Sequence, residues 1–209
     1  MKNILDLLAK GGIIMIPLFL CSIAALAVVI EKAIALRRRK IIVPEVVGVL
    51  ENVKGANDFA LAVAICEKHR GPFAGIVRLA LENRHLDREE LKESLLDQGR
   101  QEVHRLERGL GVLETIAGIA PLLGLLGTVL GLLKVFKIIS VMGVGQAAAL
   151  AGGISEALIT TIVGLFIAIP TLVAYNYYAD KAESLVLEVE KYSNRLLNKL
   201  SALQPGAEG

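Results

Sequence analysis

Thr128 and Thr161 each put a hydroxyl midway along a stretch that contains no Asp, Glu, Lys or Arg. A threonine in such a place can spend its hydroxyl on its own helix backbone. Two of them at equivalent positions also fit a polar lane, because a hydroxyl donates and accepts and so can hold water or a proton's hydrogen bond. The equivalence lies in the residues around them. Ala117, Pro121, Gly124, Thr128 and Gly131 recur at steps of 4, 3, 4 and 3, and Ala157, Thr161, Gly164, Ala168 and Thr171 repeat that spacing. Each set falls on one helix face, where small residues let neighbouring helices approach closely in lipid. Helix packing alone accounts for any single glycine. Glu156 stands at the start of the second stretch, behind Gly152-Gly153-Ile154-Ser155. Capping and dipole stabilisation, worth up to about 1 kcal/mol, is its plain role, and contact with passing ions is the alternative. Neither stretch holds a titratable Asp, Glu, His, Lys or Arg. If ions cross here, the titrating group comes from another chain.

The elements that must position these residues are membrane spans. The chain has 209 residues, 54% of them hydrophobic, and a mean hydropathy of +0.59; that excess needs a lipid phase. Three runs lack charge, Gly11 to Ile30, Thr115 to Leu133 and Ala157 to Ala179. At about 1.5 Å per residue each covers the hydrocarbon core as a helix. A fourth uncharged run, Ile138 to Ser155, contains Gly143, Gly145, Gly152, Gly153, Ser140, Ser155 and Gln146, and reads as a short re-entrant or surface connection. The first run is too long for a signal-peptide core and shows no small-x-small site before Glu31 and Lys32. Leu18-Phe19-Leu20-Cys21 also lacks the small residues that precede a lipidated cysteine.

Net charge is +2, but 14 of the 23 Lys and Arg residues lie between Arg37 and Arg108, and four more follow Ala179. The positive-inside rule places both regions in the cytoplasm and the N-terminus on the opposite side. Two cysteines, Cys21 and Cys66, give no disulfide framework. Helix-like stretches from Ile41 to Leu86, broken at Gly55, Asn57, Gly71 and Pro72, predict a small helical subdomain. Asp87-Arg-Glu-Glu resembles a helix start, and Leu96, Val103, Leu106, Leu110 and Leu113 continue its apolar stripe. With no proline before Pro121, one helix is expected from Asp87 to Phe136, about 75 Å long. The third span likewise continues as a stripe through Leu185, Val189, Tyr192, Leu196 and Leu203, fraying from Ser201. The expected organisation is an all-α integral membrane protein: a periplasmic N-terminus with a short helix (1–12), a first span (13–36), a cytoplasmic helical subdomain (37–112), a second span (113–137), a periplasmic connection (138–154), a third span (155–179), and a cytoplasmic C-terminal helix and tail (180–209). The second and third helices extend into a cytoplasmic helical bundle.

Ala120-Pro-Leu-Leu-Gly-Leu-Leu-Gly-Thr-Val-Leu-Gly131 and Gly153-Ile-Ser-Glu-Ala-Leu-Ile-Thr-Thr-Ile-Val-Gly-Leu-Phe-Ile-Ala-Ile-Pro170 resemble the signature of the MotA/TolQ/ExbB proton channel family. The likeness covers both later spans and is far more specific than a lone Gly-x-x-x-Gly. Three spans resemble the ExbB and TolQ branch, since MotA-like stators have four. The resemblance implies a homopentamer in the bacterial inner membrane, energised by the proton motive force, that surrounds an ExbD- or TolR-like single-span partner carrying the proton-binding aspartate. It acts through that partner on a TonB- or TolA-like protein, in outer-membrane transport or envelope maintenance. By position it assigns Thr128, Thr161, Glu156 and Thr160 to the proton pathway. Ala117, Pro121, Gly124, Gly127, Gly131, Ala157, Gly164, Ala168 and Pro170 then shape the pore wall.

A non-conducting oligomeric scaffold is the competing reading, with the small-residue stripes serving assembly alone. An enzyme is not expected. His69, His85 and His104 have no metal-ligand spacing, and no phosphate loop or nucleophile motif occurs. Neither a cofactor nor a nucleic-acid partner is expected, and lipid is the remaining partner.

Overall fold

Charge-free runs become helices because in lipid a helix satisfies its own backbone polar groups. The computed structural model describes residues 12–52, 58–69, 71–143, 145 and 147–203. Eight helices are described: α1 (Met15–Ala35), α2 (Arg38–Ile41), α3 (Pro44–Asn52), α4 (Asp58–Lys68), α5 (Pro72–Glu82), α6 (Arg88–Glu107), α7 (Leu110–Met142) and α8 (Ala147–Leu203). No strand occurs among the described residues. Among the described residues three helical stretches, in α1, α7 and α8, are long and apolar enough to cross a membrane. The chain divides into two compact units, Met1–Glu31 with Gly109–Tyr177, and Lys32–Arg108 with Tyr178–Gly209.

In the first unit α1 buries Leu18 and Ala25 and leaves Ile16, Phe19, Leu20, Ile23, Leu26 and Ile30 exposed. Such a continuous apolar surface calls for lipid or a partner rather than water. The turn between α7 and α8 is shorter than its glycines suggest. α7 runs on to Met142, where Gly143, at φ 73°, returns its N–H to the Ile139 carbonyl, and α8 begins at Ala147. That left-handed glycine is a usual helix stop. Gly152 and Gly153 therefore lie inside α8, and the run read as a connection over 138–154 is mostly helix. Gly153 is small for packing: a Cβ there would come 2.6 Å from the Val135 side chain.

The second unit is built around α5, whose Phe73, Ala74, Ile76, Val77, Ala80 and Leu81 are all buried. Phe73 meets Tyr192 of α8 with ring centroids 5.3 Å apart, and Leu185, Val189 and Leu196 bury the same stripe of α8. Arg38 holds Glu188 through both guanidinium and carboxylate forks, which keeps that carboxyl below its ordinary range. Cys66 is buried beneath α5, and desolvation pushes its thiol up to about 11, as expected of an inert core cysteine. The helix start at Asp87 takes the expected form, the carboxylate accepting from the Glu90 N–H at 2.8 Å.

The single helix expected from Asp87 to Phe136 is two helices. α6 ends at Glu107, Arg108 turns extended at ψ 126°, and Gly109 follows at φ 91° before α7 resumes. Only glycine adopts that conformation without strain. Leu106, Leu110 and Leu113 are buried on both sides of the break, so the apolar stripe carries no trace of it. Lys32 sits at the end of α6: it is 2% exposed, and its ammonium donates to the Leu106 carbonyl at 3.0 Å. A cation there offsets the helix dipole and satisfies a terminal carbonyl. Lys32→Met retains the apolar stem and removes the donor. It should cost about 1–3 kcal/mol, read as a lowered thermal midpoint in far-UV circular dichroism. An unchanged midpoint would show that the break holds without this bond.

The N-terminal helix expected within 1–12, the breaks at Gly55 and Asn57, and the tail beyond Leu203 lie outside the described residues, Gly12 apart.

Candidate functional site: the seam between α7 and α8

The two small-residue faces meet each other. Gly124, Gly127, Gly131, Ala157 and Gly164 are all buried, and the helices touch backbone to backbone. A Cβ on Gly124 would lie 2.9 Å from the Thr160 carbonyl oxygen, and one on Gly164 would lie 2.6 Å from that of Ala120. A Cβ on Gly131 would come 2.7 Å from the Ala157 Cβ. Gly127 receives the Thr160 side chain, which is fully buried and donates to its own helix at the Ala157 carbonyl, 2.7 Å away. Ala168 is buried as well, Ala117 and Pro121 are half-buried, and Pro170 is exposed.

That closeness puts Thr128 and Thr161 in direct contact. Their hydroxyls hydrogen-bond each other across the seam. Thr161 Oγ1 also lies 3.1 Å from the Gly124 carbonyl, and Thr128 Oγ1 lies 3.1 Å from that of Ala157 and 3.4 Å from that of Gly124. Each hydroxyl has one hydrogen to give. With one hydroxyl giving to the other, Thr161 can bond Gly124 while Thr128 bonds Thr161, or Thr128 can bond Ala157 while Thr161 bonds Thr128. The cluster can therefore reorient its protons. It offers no group that would hold a charge, so proton storage has to come from elsewhere.

Glu156 accepts an ion pair from Lys134 of α7 at 2.5 Å, the carboxylate largely shielded and the ammonium exposed. Gly12, at φ 68°, lies so close that a Cβ there would fall on the Glu156 carboxylate. The chain leading into α1, the C-terminal part of α7 and the start of α8 thus converge on one carboxylate. The sequence singles out Glu156 but not its partner Lys134, nor the close packing at Gly153 and Ala120. Their signal is register: folding the sequence back about residue 144 sets 124 opposite 164, 131 opposite 157 and 135 opposite 153. No group of three or more His, Cys, Asp or Glu side chains suited to a metal occurs among the described residues.

The profile of the MotA/TolQ/ExbB proton channel family matches residues 68–191. The chain is 39% identical over 178 residues to the biopolymer transport protein ExbB-like 1 of Synechocystis sp., covering 83% of this chain and 69% of that protein. It is 33% identical to the biopolymer transport protein ExbB of Xanthomonas campestris pv. campestris, over 68% of this chain and 54% of that protein. The Tol-Pal system protein TolQ of Pseudomonas aeruginosa is 40% identical over 86 residues, which is 41% of this chain and 37% of that protein.

Proposed function

Because the chain belongs to the MotA/TolQ/ExbB proton channel family, we propose that it is the channel-forming subunit of a proton-driven motor in a bacterial inner membrane. In this reading five copies surround a single-span ExbD- or TolR-like partner, and α7 and α8 line the space it occupies. Protons moving down their gradient neutralise the partner's aspartate and let its helices turn. Each charge crossing 100 mV releases about 2.3 kcal/mol, and a TonB-like protein carries the work to outer-membrane transport.

The observation that carries this is the paired threonine hydroxyls in uncharged runs with no Asp, Glu, His, Lys or Arg of their own. They supply a reorientable hydrogen-bond relay, and the charge carrier is left to the partner. The basic residues of 37–108 and beyond 179 support an N-terminus outside and a cytoplasmic C-terminus. The likeness to ExbB-like 1 runs over 178 residues and that to TolQ over 86, which favours the transport role over envelope maintenance. One observation favours a non-conducting scaffold instead: the same hydroxyls already have acceptors within the seam.

Co-expression with a single-span, aspartate-bearing partner separates the two. Native mass spectrometry should count five copies with the partner bound, and proteoliposomes should take up protons under an applied potential. Exchanging the partner's aspartate for asparagine should abolish that uptake. A chain that assembles without any such partner, or uptake indifferent to the asparagine, would return the protein to the scaffold reading.

A further inference from the structure

The uncharged part of α7 ends at Leu133. Counted from Thr115 it is about 28 Å long, the thickness of the hydrocarbon core, so Lys134 and Lys137 stand at headgroup level. Beside them is an open pocket of about 280 Å³ whose walls are Ile13, Ile14, Leu130 and Leu133, with Lys134, Lys137 and Glu156 at its margin. Among the described residues the charges there do not cancel. Glu156 is taken by Lys134, and Lys137 is exposed with no ion pair among the described residues. The pocket therefore joins apolar walls to one surplus positive charge at the height of the phosphates.

We propose that this pocket binds one anionic phospholipid, its acyl chain against the four apolar residues and its phosphate on Lys137, with Lys134 beside it. A second copy of the chain is a poorer occupant. To cover the pocket it would have to bring an acid to Lys137, and its uncharged runs carry none. At this level the only acid near the spans among the described residues is Glu156, already paired with Lys134. A zwitterionic lipid satisfies the apolar walls but offers no net charge to the surplus cation. Basic sites between membrane helices hold anionic headgroups in this way, and a fivefold preference corresponds to about 1 kcal/mol.

The test is lipid retention by the full-length protein in native mass spectrometry after exchange into nanodiscs. Phosphatidylglycerol should survive delipidation as an adduct on each subunit about fivefold better than phosphatidylcholine. Lys137→Gln should lower it to the phosphatidylcholine level, and Lys137→Arg should restore it. Circular dichroism and gel filtration should show all three proteins folded alike, since the Lys137 side chain is exposed. Equal retention of the two lipids, or an unchanged Lys137→Gln, would overturn the proposal. Displacement by excess inorganic phosphate would also overturn it, because the ligand would then be the free anion. A pocket found filled by a neighbouring subunit, with no lipid retained, would do the same.

Discussion

Gly164→Ala should loosen the α7–α8 seam, and Gly164→Leu should leave no folded protein to extract from membranes. A Cβ at this position meets the Ala120 carbonyl at 2.6 Å and the Gly124 Cα at 3.1 Å. Both are backbone atoms, so no side chain can swing aside and the helices themselves must part. Overpacking costs about 1–3 kcal/mol, against which alanine's better helix propensity returns at most about 1. A leucine would separate the helices far enough to break the Thr128–Thr161 contact as well. Gly118 supplies the contrast, because a Cβ there meets nothing within 4 Å and Gly118→Ala should be neutral or slightly stabilising. Gel filtration of detergent extracts, with thermal midpoints, reads the series. If Gly164→Leu assembled normally, the close seam would not exist in the membrane.

Thr161→Val should leave assembly intact and reduce partner-dependent proton uptake to background. Valine keeps the shape and removes the bonds to Gly124 and Thr128. Interhelical hydrogen bonds in lipid are worth only about 0.6–2 kcal/mol, too little to unfold a seam made by backbone packing. Thr161→Ser should recover uptake. Thr160→Val should have much the smaller effect, because that hydroxyl serves its own helix at Ala157. Normal uptake by Thr161→Val in a properly assembled protein would remove the hydroxyl pair from the proton path and reduce both threonines to packing residues.

The spans were legible because charge is either present or absent: the runs beginning at Gly11, Thr115 and Ala157 stand out against flanking Lys, Arg, Asp and Glu. The small-residue faces were legible from spacing. Their destination was not, since spacing places Gly124 and Gly164 each on a face and does not say that the faces meet. That requires the position of the turn, and the scatter of glycines from 143 to 153 hid it. Gly143 stops a helix and Gly153 packs against Val135, two uses of glycine that look alike in a sequence. The break at Gly109 was hidden for a related reason: Leu106, Leu110 and Leu113 keep helical spacing across it. Lys134 went unread because a lysine just past a span looks like an interfacial anchor until Glu156 is found opposite.

Only four residues separate Met142 from Ala147. In the orientation favoured by the basic residues, this connection has to be translocated during biosynthesis, taking Lys134, Lys137 and Glu156 through the bilayer with it. A lone charge at the membrane centre costs about 2.5–3.5 kcal/mol on insertion scales. Lys134 and Glu156 face each other across the hairpin, so they can make the passage as a neutral couple, leaving Lys137 the one unmatched charge of the three. In that orientation α7 and α8 would insert as a single unit, the glycine contacts closing as the two helices enter the bilayer together.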